Sequence, residues 1–320
     1  MSLKNYQNKG IEMNELNKNS MGGTEISRIA LNTKLPADLK NAFQIISSRV
    51  RDLDPNRPRI YWLHDLAEDP EVQHLRDPKS RKRFKKLVFV SHWQFSNYHK
   101  ILKVPYSESI VIRNAIDPIL SHQKSMDYPI RIIYHTTPHR GLDILISVYK
   151  ELSKKWGNKL HLDVYSSFKI YGWDHRDEPF EQIFHQCEEH PYITYHGCVS
   201  NDKIRKALQK AHIFAYPSTW QETSSLAVIE AMSAGCCIVC SSLGALPETT
   251  SNFAVMYPFH EKKERHANIF FNVLDLSIKK IWEDNVQKML SFQKQYTDTF
   301  YSWNIRIKEW EILLRSLLKK

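Results

Sequence analysis

Short apolar runs alternate with helical stretches along nearly the whole chain, and few architectures accommodate that alternation. Residues 43–47, 59–64, 87–91 and 109–112 read as strands in the first half. In the second half residues 130–134, 160–165, 192–195 and 211–216 read as strands, with helical stretches at 142–156, 179–189 and 201–210 between them. Strand, helix, strand in that order implies parallel sheets covered by crossover helices, an α/β fold, rather than a sandwich or a bundle. The chain has 320 residues, enough for two such units, and two Rossmann-like halves fit the pattern. The expected division is residues 1–120, residues 121–295 and a closing segment 296–320. The break falls in the aperiodic stretch 117–128, just before Pro129. Trp303, Ile307, Trp310, Leu313, Leu314 and Leu317 recur at spacings of three and four and predict an amphipathic helix at the end.

Open α/β sheets bind ligands beyond the carboxyl ends of their strands. That places His64-Asp65, Ser91-His92-Trp93 and Asn114 toward a cleft. The most informative stretch for chemistry runs from Pro217 to Gly235, where Glu222 and Glu230 stand with seven residues between them. Residues 211–216 form a buried strand and 217–223 a loop, followed by a short apolar helix over 226–234 that Gly235 stops. Glu222 therefore sits on the loop and Glu230 on the helix. Ser224 or Ser225 can cap the helix, whose free N–H groups and positive dipole end suit a phosphate. Carboxylates accept hydrogen bonds from sugar hydroxyls while amides hold a diphosphate. Taken singly, Glu222 is equally well an ordinary loop charge and Glu230 a favourable acid near a helix start.

Composition narrows the partners. The formal charge of +10 favours anions, whether nucleotide, acidic lipid or nucleic acid. The densest basic run is Lys79-Ser80-Arg81-Lys82-Arg83-Phe84-Lys85-Lys86. It reads either as a solvated helix face or as a peripheral contact with an anionic membrane. Residues 1–20 carry no apolar segment of the kind a signal peptide needs, and no run in the chain is long enough to span a bilayer, so a cytoplasmic protein is expected. Of five cysteines, Cys236, Cys237 and Cys240 lie in what reads as a buried strand, and Cys187 and Cys198 stand apart. Cys237 and Cys240 lack a matching second pair, so buried thiols acting as small hydrophobes are the expectation rather than a zinc site.

The text Glu222-Thr223-Ser224-Ser225-Leu226-Ala227-Val228-Ile229-Glu230-Ala231-Met232-Ser233-Ala234-Gly235 resembles the Glu-x7-Glu signature of the family four retaining glycosyltransferases, with Thr223 and Ser225 where the commoner form has glycine. Further matches follow in the family's order, over about residues 21 to 310. They are Met21-Gly22-Gly23-Thr24-Glu25, Trp62-Leu63-His64-Asp65, Asn114-Ala115-Ile116-Asp117, Pro138-His139-Arg140-Gly141-Leu142, His196-Gly197 and Leu243-Gly244-Ala245-Leu246-Pro247-Glu248. The resemblance implies a GT-B architecture, two Rossmann-like domains facing a cleft, with the last helix crossing back to the first domain. By that resemblance Glu222 meets the donor sugar and Glu230 the ribose hydroxyls, and the amides around Ser225 and Leu226 meet the phosphates. Gly22 and Gly23 would let backbone approach the donor. Arg140 would grip the diphosphate, and a permanently charged guanidinium can stabilise the leaving group without a metal or other cofactor. The family's second basic residue is missing: Tyr134 and His135 stand there, with His135 as its substitute. His64 would hydrogen-bond the sugar near the reacting carbon. It reads equally as a satisfied histidine at a strand end.

The implied partners are a nucleotide-diphosphate sugar and a glycan or lipid-linked acceptor. The only candidate for a first strand before Gly22 is Gly10-Ile11-Glu12-Met13, so the acceptor-side domain reads as reduced. Two other functions stay open. An epimerase on the same architecture would need an acid/base pair that the sequence does not offer. A non-catalytic basic protein binding nucleic acid or anionic glycan is compatible with the charge and the lost motif glycines, but two acids in the cleft oppose a polyanion, so nucleic acid is disfavoured.

Overall fold

The structure, a computed structural model, describes residues 21–120 and 122–318. The Gly10-Ile11-Glu12-Met13 candidate strand and the leader reading of residues 1–20 lie outside the described residues.

Two parallel sheets form the molecule. The first has four strands in chain order, β1 (Gln44–Ser47), β2 (Arg59–Leu63), β3 (Lys86–Phe89) and β4 (Ser109–Val111). Tyr61 pairs in register with Leu87, and Val88 with Ile110. The second has six strands, β5 (Ile130–Tyr134), β6 (Leu160–Val164), β7 (Ile193–Tyr195), β8 (Ile213–Tyr216), β9 (Cys237–Ser241) and β10 (Val255–Tyr257), in the order β10-β9-β8-β5-β6-β7. The chain runs outward from β5 through β6 to β7, then returns to place β8 on the other flank of β5. This reversal opens a crevice at the carboxyl ends of β5 and β8.

Continuous apolar runs become central strands because both faces are covered. All four residues of β8 and all five of β9 are buried, and Cys236, Cys237 and Cys240 lie fully within the second sheet's core. The helix Leu142–Trp156 buries Leu142, Leu145, Tyr149 and Leu152 at spacings of three and four against that core. The stretch expected as a helix over 179–189 divides. Pro179 sits in a 3-10 segment, Asp174–Phe180, and the α-helix starts at Glu181, since proline cannot supply the N–H that an α-helical interior requires.

The last helix, Trp303–Leu318, crosses back as expected. Trp303, Trp310, Leu313 and Leu314 form one core with Leu31, Leu39, Ile60, Trp62 and Val88 of the first sheet and its helices. Trp310 meets Trp62 edge to face at 5.2 Å. Where the chain passes between the sheets, Ile116 N–H donates to Tyr301 O at 2.8 Å and Trp303 N–H returns to Ile116 O at 3.2 Å.

The basic run is neither of the things its composition suggests throughout its length. Arg81 is buried, donating to Glu108 at 2.7 Å and to the carbonyl of Leu75 at 2.8 Å. Arg83 folds onto Ser80 and His74, and Lys86 reaches Ser107 O, which leaves Lys79, Lys82 and Lys85 exposed. Among the described residues no helix is long and apolar enough to cross a membrane.

Candidate active site

The loops after β5 and β8 meet at the crevice, and a glycine permits the meeting. Gly141 has φ +108°, and a Cβ there would lie 2.2 Å from Pro217 O. Any side chain would push the loops apart, so this glycine carries both a backbone and a steric requirement. Their contact brings Arg140 to Glu222: the guanidinium and the Tyr216 hydroxyl both donate to Glu222 Oε1. Glu222 is held from behind as well. Ala245 N–H donates to its carbonyl at 2.7 Å. Gly244, at φ +65°, lets the backbone come so close that a Cβ would stand 2.5 Å from Glu222 N. The carboxylate is 5% exposed, its pair with Arg140 shielded from water.

Glu230 is one turn into the helix Leu226–Ser233 and 7% exposed. Arg205 Nη1 donates to it at 2.9 Å, and Asn201 Nδ2 lies 3.2 and 3.3 Å from its two oxygens. Burial raises its pKa, and Arg205 opposes that shift. Ser225 is the N-cap, but its hydroxyl makes no capping bond. The expected side-chain cap is therefore not formed, and the helix start is left to whatever enters the cleft.

From the other side, β2 ends at Leu63 and His64 follows it. Thr223 Oγ1 donates to the His64 carbonyl at 2.8 Å, a bond between the two halves made by a residue that replaces a motif glycine. The helix Gly23–Lys34 begins at the cleft with Gly22 as an uncapped N-cap. Its glycines also meet a steric requirement within the protein itself. A Cβ on Gly22 would be 2.2 Å from Tyr171 Cε1, and one on Gly23 would be 3.3 Å from Leu226 Cδ1. Side chains of the second half fill these spaces, and Met21 N–H donates to Ile170 O across the same seam at 2.8 Å.

Gly22, Gly23, His64, His135, Arg140, Glu222, Ser225, Leu226 and Glu230 thus line one cleft of about 240 Å3, together with Asn114, Tyr171, Asn201 and Thr223. His64 and His135 are each drawn down to about pKa 3 by burial, and neither ring's Nε2 has a protein partner. Both present neutral imidazole at pH 7. His135, the candidate substitute for the second basic residue, thus lines the cleft with its protonation disfavoured by burial. Among the described residues Arg140 is the one Lys or Arg lining the cleft.

Sequence reading missed Tyr216, Arg205 and Asn201. All three were signalled. A tyrosine in a wholly apolar strand needs a partner for its hydroxyl, and Asn201 and Arg205 stand four apart on one helix face.

Two facing parallel α/β halves with the last helix crossing back are the GT-B arrangement, and solved structures of glycosyltransferases share it. Residues 131–264 match the family described as Glycosyl transferases group 1. Over 144 residues, 45% of this chain, the sequence is 26% identical to the O-antigen chain mannosyltransferase B of Escherichia coli. That match spans 36% of the mannosyltransferase's length. A glycosyltransferase from Rickettsia africae ESF-5 superimposes with a TM-score of 0.68 at 16% identity, covering 97% of this chain and 85% of its own. Anabaena Alr3699/HepE in complex with UDP-glucose gives 0.61 at 16% identity, covering 81% and 72%. The pneumococcal O-GlcNAc transferase GtfA, in complex with UDP and GlcNAc, gives 0.61 at 12% identity, covering 83% and 53%.

Proposed function

We propose that the protein is a retaining glycosyltransferase that moves a hexosyl group from a nucleotide-diphosphate sugar to a hydroxyl of a glycan or lipid-linked acceptor, without a metal ion. The observation that carries this reading is the convergence of Glu222, Glu230 and Arg140 in one cleft at the sheet's reversal. Glu230 accepts from the ribose hydroxyls. The diphosphate lies between Arg140 and the uncapped start of the helix Leu226–Ser233. Glu222, within reach of Arg140, faces the sugar. As the glycosidic bond breaks, negative charge grows on the departing diphosphate, and Arg140 together with the fixed amides meets it without reorganising. The acceptor hydroxyl attacks from the face the diphosphate leaves, and the leaving phosphate takes its proton. Orientation and exclusion of water supply the rest. The Escherichia coli relative's name supports transfer of a hexosyl group, and the UDP-bound neighbours support a nucleotide-sugar donor. Against the alternative of a polyanion-binding protein stands the charge of the cleft, with two carboxylates beside one lining arginine.

The test is a thermal-shift panel of UDP, GDP, ADP and CMP sugars, with donor hydrolysis followed in EDTA. One donor is expected to raise Tm, and at a hundredfold excess over Kd the stabilisation is about 2.7 kcal/mol. Arg140→Ala removes the shift, and chelation leaves turnover intact. No shift with any donor, or turnover lost in EDTA and restored by Mn2+, would overturn the reading.

A further inference from the structure

We propose that Arg205 is a positioning residue that sets the carboxylate of Glu230 for the nucleotide and ties that carboxylate to the segment joining the two halves. This rests on the reading of Glu230 as a ribose contact. Arg205 lies outside the cleft wall and acts through Glu230. One arm of its guanidinium donates to Glu230 Oε1 at 2.9 Å. The other donates to the carbonyls of Asp117 and Pro118 at 2.7 and 3.3 Å, where the chain leaves the first half. A planar fork with three acceptors in two directions has one orientation, so the linker's position fixes the arginine and the arginine fixes the carboxylate. A lysine carries the charge but cannot span both.

The linker is fastened at this point from both sides. Asp117 pairs with Lys34 at 2.9 Å, at the far end of the helix whose start, Gly22 and Gly23, lines the cleft. Two residues on, Ile119 N–H donates to Ser233 Oγ at 2.9 Å, at the end of the helix that carries Glu230. Lys294 and Asp298, on the helix Asp284–Phe300, bond Ser233 rather than Glu230. Asn201, a turn before Arg205, completes the polar contacts of Glu230. Arg205 is therefore the one cation bonded to Glu230 among the described residues. It is also the direct bond between that carboxylate and the segment joining the two halves.

The geometry separates charge from orientation, and two substitutions read them apart. Binding of UDP, GDP and ADP is measured by calorimetry at pH 6 and pH 8 for the wild type, Arg205→Gln and Arg205→Lys, with donor KM and kcat alongside. Arg205→Gln leaves a buried carboxylate without its cation. Nucleotide affinity is expected to fall about tenfold at pH 8 and further at pH 6, because burial without the cation favours the protonated carboxyl, while kcat at saturating donor changes less than about threefold. Arg205→Lys restores the wild-type pH dependence but not the full affinity. Unchanged affinity in Arg205→Gln at both pH values, in a protein that melts as the wild type does, overturns the proposal and leaves the proposed function standing. A fall in kcat as large as the fall in affinity, with no change in pH dependence, overturns it likewise. If Arg205→Gln fails to fold, Arg205→Lys decides: affinity equal to wild type overturns the tie to the linker. A wild-type protein that binds none of the three nucleotides overturns this inference and the function together.

Discussion

Glu222 Oε1 accepts from both Arg140 and the Tyr216 hydroxyl. On the proposed function these two partners would part when a diphosphate arrives: Arg140 would be drawn toward the phosphates, while Tyr216, buried at the end of β8, would stay and keep Glu222 aimed at the sugar. Tyr216→Phe removes one hydroxyl and is expected to lower kcat about tenfold, the scale of one lost hydrogen bond to a buried charge, with nucleotide affinity within about twofold. Steady-state kinetics beside UDP titration checks this, and an unchanged kcat would sink it. The two glutamates could be read from the chain because their spacing across a loop and helix start is local. Tyr216 as a partner could not: a tertiary hydrogen bond leaves no period in the sequence, only a polar atom that must find something. His135 shows the same limit. Its place in the cleft was expected from the family resemblance, but its neutrality follows from burial that no window of sequence reports.

At the scale of elements, the strands and the last helix were legible because apolar runs and a three-four period are direct consequences of burial. The ends were less so. The strand read over 87–91 is β3, Lys86–Phe89, since Ser91 turns to cap the helix His92–Leu102 by accepting from Gln94 N–H at 3.0 Å. The basic run was illegible for another reason: Arg81 is inside, paired with Glu108, and composition alone does not say which way a charge points. The helix Trp303–Leu318 belongs by sequence to the end of the second half but by contact to the first. Trp310 is fully buried there against Trp62. Trp310→Ala should destabilise by about 3–5 kcal/mol, the cost of a large core cavity. The loss should fall on the first sheet, so hydrogen exchange of β2 and β3 rises before that of β8 and β9. Uniform loss of protection across both sheets would contradict this division of the core.

For the whole molecule the relevant question is what holds two separately cored halves in one arrangement. Besides the returning helix and the bond from Met21 N–H to Ile170 O, two sets of side-chain bonds cross the cleft's edge. Thr223 reaches the His64 carbonyl. Glu248 receives His92 N–H at 3.0 Å and Trp93 N–H at 2.9 Å and pairs with Arg113 at 3.0 Å. The second set is a helix cap supplied by the opposite half: a carboxylate from the 243–248 segment sits on the positive end of the helix His92–Leu102 and satisfies two of its unpaired donors. The same segment contributes Gly244, against which Glu222 is pinned, so the contact that joins the halves also buttresses that carboxylate. On the proposed function this one contact would both hold the cleft together and set the site, as an enzyme that must exclude water before its donor reacts requires. Glu248→Ala removes the cap and leaves Arg113 without its carboxylate, at a cost of about 1–2 kcal/mol. Neither core is touched, so both halves should remain folded while their arrangement loosens. Small-angle scattering should show a larger radius of gyration than wild type without nucleotide. Saturating donor should narrow the difference, because a ligand bridging the cleft favours the closed form by its differential affinity. Transfer to acceptor should fall relative to donor hydrolysis, since a cleft that opens readily admits water to the same sugar. Identical scattering and an unchanged ratio of transfer to hydrolysis would show that the Glu248 contacts are not needed to fix the two halves.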